Sequence, residues 1–385
     1  MKAFLRISSS LLVLLLGAQA TMAQQVISGQ DTSRRVITTA VPFLIISPDA
    51  RSGALGDAGA ALSPDANSAH WNPAKMAFLK KDFGASMSYT PWLGKIINDM
   101  SITYLAGYYK LSRQQTIALA MRYFDLGDIT FTQDGTDQFN FNPREFSLDA
   151  TFAQMLSDKF SIGVTGKYVY SNMVGNYTTT ASDPNPGSSI AADMGVYYAS
   201  DLIVGGSNSN LALAAVVSNV GQKITYTDES RREFIPVNLR VGGAYTTELD
   251  PYNAITVLLD FNKLMVPTSA EDSRTQPLLS GMFGSFSDAP DGFSEELKEI
   301  TVSFGTEYWY NNIFAARAGY FYEDFSKGNR KYFTAGVGFR YQVFGIDFAY
   351  LIAQKQNNPL AETLRFTLHF DMNKGEGGQP SVPIE

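Results

Sequence analysis

The sequence predicts an all-β protein, an antiparallel transmembrane β-barrel of about 14 strands that follows an N-terminal hatch segment. Three observations carry this. Between Phe83 and Phe370, runs of roughly ten residues carry apolar side chains on alternate positions and end at turns. The connections alternate between short and long, the pattern of a barrel with tight periplasmic turns and long outer loops. Tyrosine and tryptophan crowd the strand ends, as at Tyr89 and Trp92, Tyr108 and Tyr109, and Tyr308-Trp309-Tyr310, where amphipathic rings would meet lipid headgroups.

Taken in chain order, residues 1–23 read as a secretory signal peptide. Lys2 and Arg6 precede an apolar run from Ile7 to Gly17, and Ala20 or Ala23 offers the small residue for cleavage. Residues 24–82 read as a periplasmic and hatch segment. The stretch 36–81 is rich in Ala, Gly, Asp and Pro and lacks period-two alternation. Asn72-Pro73 fits a sharp backbone turn, since proline fixes φ and pushes the residue before it out of the helical region. Gly53, Gly56 and Gly59 lack the Lys-Ser/Thr that a phosphate loop needs, so they read as close packing inside the barrel.

Residues 83–371 form the barrel. In its clearest strand Phe333, Ala335, Val337, Phe339 and Tyr341 share one face, and Thr334, Gly336, Gly338 and Arg340 share the other. Tight turns are expected at 111–114, 156–159, 205–210, 250–253, 310–312 and 343–345. Loops are expected at 91–98, 125–143, 171–189, 221–234, 262–299, 323–331 and 354–360. Residues 372–385 are expected to form a flexible periplasmic tail.

Composition narrows the function. No apolar run of ~18 residues follows the N-terminus, so no transmembrane helix is expected. A hydrophobic content of 45% with 13% aromatic residues is too rich for disorder. There is no cysteine, hence no disulfide, thiolate chemistry or lipidated cysteine. Loss of Lys2 and Arg6 lowers a formal charge of -7 by two more units, which argues against nucleic acid as a partner. Outer-membrane lipid is the expected surroundings.

The polar faces of the strands put Arg122, Lys167, Arg240, Arg317, Arg340 and Arg365 inside the lumen, with Asp149, Asp193, Asp260, Glu307 and Asp347. A nearly balanced set of long charged side chains can cross-link a wall and grip a hatch, whereas a diffusion pore keeps a wet, biased lumen. An occluded barrel is expected. His70 and His369 are the available neutral-pH bases, and neither has a metal-spaced neighbour in sequence. No catalytic residue, metal or cofactor is therefore assigned, although an outer-membrane lipid deacylase remains a minor reading because serine triads are recognised by geometry.

Function is expected in the loops. The connection 262–299 is far longer than it needs to be and carries Leu278, Leu279, Met282, Phe283 and Phe286, an adaptable apolar surface suited to protein partners. Trp92 and Ile96 add a second apolar tip.

The order Ser47-Pro48-Asp49-Ala50-Arg51, Leu55-Gly56-Asp57-Ala58-Gly59-Ala60, Asp65-Ala66-Asn67 and the hatch motif Trp71-Asn72-Pro73-Ala74 resembles the PorV/PorQ group of the type IX secretion system. The likeness continues through Leu126-Gly127-Asp128-Ile129-Thr130, Asn142-Pro143-Arg144-Glu145-Phe146 and Asp193-Met194-Gly195-Val196-Tyr197-Tyr198. That group belongs to a wider class of fatty-acid-transporter-like barrels. The resemblance implies an outer-membrane shuttle that receives secreted proteins by their C-terminal domains from a large translocon barrel. It would deliver them to a cell-surface attachment complex with its sortase. A fatty-acid-transporter-like channel for hydrophobic molecules is the alternative that the same architecture would serve.

Overall fold

The computed structural model of the chain describes residues 35–93, 99–133, 137–173, 185–226, 232–353 and 363–373. Its strands run in order as β1 (Phe83–Pro91), β2 (Ser101–Lys110), β3 (Gln115–Asp125), β4 (Ile129–Gln133), β5 (Asp137–Phe141) and β6 (Arg144–Ser157). Then come β7 (Phe160–Asn172), β8 (Gly187–Val204), β9 (Ser207–Gly221), β10 (Asn238–Asp250) and β11 (Asn253–Leu264). The last are β12 (Thr301–Tyr310), β13 (Phe314–Tyr322), β14 (Lys331–Tyr341), β15 (Phe344–Ala353) and β16 (Leu364–Met372). β4 and β5 pair only with each other, as a hairpin in the loop after β3. The other fourteen close into one antiparallel barrel, each beside its sequence neighbour, with β1 against β16. Closure leaves no unpaired sheet edge in the lipid.

The short connections bend where left-handed backbone is affordable. Gly205 and Gly206, at φ 62 and 88, join β8 to β9, and Asn311 and Asn312, at φ 52 and 54, join β12 to β13. The turn expected over 205–210 is therefore only two residues long. Ser209 and Asn210 belong to β9, where Asn210 bonds Asp201 at 2.7 Å and Ser209 bonds Thr247 at 3.0 Å. A Ser/Asn-rich run reads as a turn, but the paired glycines reverse the chain first and the polar side chains then bond across strands.

The long connections all lie at the opposite end, which is the extracellular one for an outer-membrane barrel. The longest folds into short helices, Ala270–Thr275, Leu278–Gly284 and Phe293–Glu296.

The hatch threads the lumen as a string of short helical turns, Pro42–Ile45, Ala50–Gly53, Ser68–Trp71 and Pro73–Phe78. Small inward side chains make room for it. Phe43 and Leu44 pack with Ile102, Phe124 and Ile224. Leu55 and Ala60 pack with Ala212, Ala214 and Leu258, and Met76 and Leu79 with Tyr108 and Ala118. At Gly319 the contact is so close that a Cβ would stand 2.1 Å from the Gly56 nitrogen.

The direction of the thread bears on one expectation. Residues 24–82 read in sequence as a periplasmic and hatch segment, and the described part of it, from Arg35, starts among the outer loops. Arg35 N–H donates to the Ser326 carbonyl and Ala40 N–H to that of Phe234, both loop residues. Only at Asp82, whose N–H donates to Met372 O, does the chain reach the short-turn end. The absence of any strand period in this segment leaves its path unmarked in sequence. Because the chain has no cysteine, the path is directly testable. Val36→Cys should label on intact cells with a membrane-impermeant thiol reagent, and Gly205→Cys should label only after the outer membrane is opened. The reverse pattern would invert the barrel.

Candidate functional site

The hatch motif is locked by its own side chains. Asn72 sits in extended backbone at φ -163, its Oδ1 accepts from Ala74 N–H at 2.9 Å and its Nδ2 donates to Val196 O at 3.0 Å. Pro73 can start the following turn because its missing N–H is an unpaired position there anyway. Ser161 Oγ donates to Ala74 O at 2.7 Å, and Trp71 Nε1 donates to Asp49 Oδ1 at 2.6 Å.

The inward charges meet the hatch. Arg51 holds Glu307 with two bonds, of 3.0 and 2.8 Å. Arg317 donates to Glu307 at 2.7 Å and to Asp347 at 2.8 Å, and Asp347 also receives Arg340 at 2.6 Å and lies 2.7 Å from His369 Nε2. Glu307 is 1% exposed. This is a hatch-to-wall network of paired, hydrogen-bonded charges, the arrangement in which removing one partner costs most.

Other wall charges take backbone groups. One Asp260 oxygen accepts the N–H groups of Gly59 and Ala60, both at 2.8 Å. Arg122 donates to the carbonyls of Phe43 and Leu44 and lies 2.7 Å from His70 Nδ1. Arg365 donates to Asp57 at 2.9 Å. Lys167 pairs with Asp193 at 2.7 Å, and buried Asp149 stands opposite Lys167 in the β6–β7 register. Arg240 lies over the Trp71 ring at 4.5 Å and donates to Asn262 at 2.6 Å.

The loop residues divide. Leu279 is 61% exposed, Phe283 67% and Phe293 76%. Phe286 is exposed beside the lipid-facing Val241 and Phe261, in a groove of about 190 Å³. Met282 does not belong to this surface: it is 4% exposed, packed with Phe234, Met265 and Val266, and Leu278 is half-buried against the same cluster. The helix Leu278–Gly284 turns neighbouring residues to different sides, so composition could not separate them. Trp92 is half-buried edge-on to Phe124 rather than forming a tip, and Ile96 lies outside the described residues.

The long loop is tied down at its base. Lys263 bonds Glu296 and Glu299, at 2.9 and 2.5 Å, and Lys327 bonds Glu295 and Glu299, at 2.7 and 2.8 Å. Burial works against the Lys327 ammonium, but these two bonds hold its pKa above the ordinary lysine value. Burial also works against the Glu295 carboxylate, yet Lys327 holds it below the usual range. The Lys327–Glu295 bond should therefore hold at neutral pH. It weakens as pH falls through the depressed Glu295 value or rises through the raised Lys327 value.

The chain closes into a fourteen-strand barrel with a bolted hatch, and its residues 29–271 match the family described as "Type IX secretion system protein PorV". The chain belongs to the PorV family. Among solved structures it is similar to the Pseudomonas putida toluene transporter TodX, at 11% identity over 85% of this chain and 98% of that one, with a TM-score of 0.50. It is also similar to the Ralstonia pickettii toluene transporter TbuX, at 12% identity over 86% and 100%, TM-score 0.46. A Pseudomonas aeruginosa FadL homologue follows at 10% identity over 85% and 98%, TM-score 0.42. At such identities the TodX likeness speaks for the fold alone. No curated protein matches the chain.

As a PorV-family barrel the chain is an outer-membrane component of the type IX secretion system. Both histidines face charged partners inside it, His70 with Arg122 and His369 with Asp347. The hatch side chains that grip the wall, Arg51 and Asp57, and Asp49, which braces the hatch through Trp71 and Ser52, went unassigned in sequence. Their signal was visible as charges spaced through an otherwise Ala/Gly-rich stretch.

Proposed function

We propose that this barrel takes hold of secreted proteins through their C-terminal domains at its loop face. It then carries them from the large translocon barrel to the attachment complex with its sortase, and nothing crosses its own lumen. Family membership supports the secretion role, and the observation that carries the mode of action is the exposed pair Leu279 and Phe283, one turn apart on the helix Leu278–Gly284. Large apolar side chains exposed beyond the lipid are costly to keep in water and suit a partner interface, where a few such anchors provide most of the energy. The competing channel reading requires a movable hatch, and that would break the Arg51–Glu307–Arg317 network.

Replacing Leu279 and Phe283 together with Ser tests this. Co-purification of secreted proteins and translocon should fall at least tenfold, given ~2 kcal/mol or more per lost anchor, while a heat-resistant barrel stays in the outer membrane. Met282 is left intact because its loss would open the buried cluster. Normal secretion by this variant, with impaired growth on long-chain fatty acid, would favour the channel.

A further inference from the structure

At the long-loop end, the hatch and the upper wall enclose a vestibule of about 710 Å³, within the size range of ligand pockets. Its charged lining is Asp57, Arg240, Glu299, Glu323, Lys327, Arg330 and Arg365. Three pairs account for six of these: Arg365 with Asp57 at 2.9 Å, Arg330 with Glu323 at 2.6 Å, and Lys327 with Glu299 at 2.8 Å. Arg240 is left. Its Nε serves Asn262 and its guanidinium lies on Trp71, but among the described residues no carboxylate forms an ion pair with it. Asp260, Asp57 and Asp193 act on it through space but none of them bonds it, so its terminal N–H groups remain open to a negative charge from the cavity.

The rest of the lining says what carries that charge. Phe43, Ile45, Phe124, Phe321 and Leu351 make much of it apolar. One side, however, is formed by residues 36–39, a strap held at its ends by the Arg35 and Ala40 bonds. Between those anchors the strap is neither helix nor strand, and among the described residues it makes no hydrogen bond. Unused backbone donors and acceptors beside a cavity fit an extended peptide that adds alongside them, a match an alkyl chain cannot provide.

We propose that the vestibule takes the free C-terminal end of a secreted polypeptide, its backbone along residues 36–39 and its α-carboxylate on Arg240. This rests on the cargo-binding reading above and gives it a second, separable contact, inside the mouth rather than on the loop.

The test uses the full-length barrel purified in detergent and two fluorescein-labelled peptides of sequence Gly-(Val-Thr)4, one with a free C-terminal acid and one with a C-terminal amide. Fluorescence anisotropy should show the acid binding about tenfold or more tighter than the amide, the worth of a charge-assisted hydrogen bond. Arg240→Gln should erase that preference, and Arg240→Lys should keep most of it. Equal binding of acid and amide to the unaltered barrel would overturn the proposal, whatever the variants do. So would palmitate occupying the site while neither peptide binds, which would make the vestibule a fatty-acid site. If secreted proteins still co-purify with Arg240→Gln barrels that have lost no acid preference, this inference fails and the loop-face reading stands.

Discussion

Replacing Glu307 with Ala should unbolt the hatch. The change leaves Arg51 without its main carboxylate and Arg317 with only Asp347, deep inside the barrel. Breaking a buried ion pair from one side costs about 3–5 kcal/mol, because the remaining cations lose their counter-charge but not their burial. The fourteen-strand wall keeps its hydrogen bonds, so the barrel should survive while the hatch loosens. Two readouts follow: conductance in planar bilayers should rise, and protease should reach the hatch in purified protein. Glu307→Gln keeps the shape and one acceptor and should fall between. A variant as closed as the parent would show that the network does not hold the hatch.

Val337→Arg should be the most damaging change on the outer wall. Val337 lies near the middle of β14, paired with Ala316 and Phe348, and its side chain is exposed to lipid. An arginine near the bilayer midplane costs about 2–4 kcal/mol. Thr151→Ser makes a mild inner-face comparison, since it keeps the hydroxyl that bonds Thr165 at 2.8 Å. Gly336 would be a poor one: a Cβ there stands 2.4 Å from the Ala54 side chain of the hatch. Unfolding in urea from lipid vesicles measures both variants, and equal stability would contradict the register.

Much of this fold was legible in the sequence because lipid and lumen impose opposite demands on successive residues. The alternation through Phe333, Val337 and Phe339 reports the wall, and loop length reports which end is which. Partner choice was not legible. Arg51 and Glu307 are 256 positions apart, and no local pattern says that they meet. The hatch carries no period, so the path of its described part, from the outer loops at Arg35 inward, left no trace. In the long loop the difference between buried Met282 and exposed Phe283 is one step along a seven-residue helix.

If the hatch stays in place while the outer face works, fixing it to the wall should leave secretion unchanged. The Ser86 hydroxyl of β1 donates to Asn67 Oδ1 of the hatch at 2.6 Å, and Cys at both positions, in a chain that has no other cysteine, can be joined directly or through a short disulfide-containing cross-linker to staple hatch to wall. Secretion is then measured in oxidised cells and again after a reductant. The same secretion is expected in both. Secretion that stops when the staple forms and returns when it is reduced would contradict a hatch that stays in place.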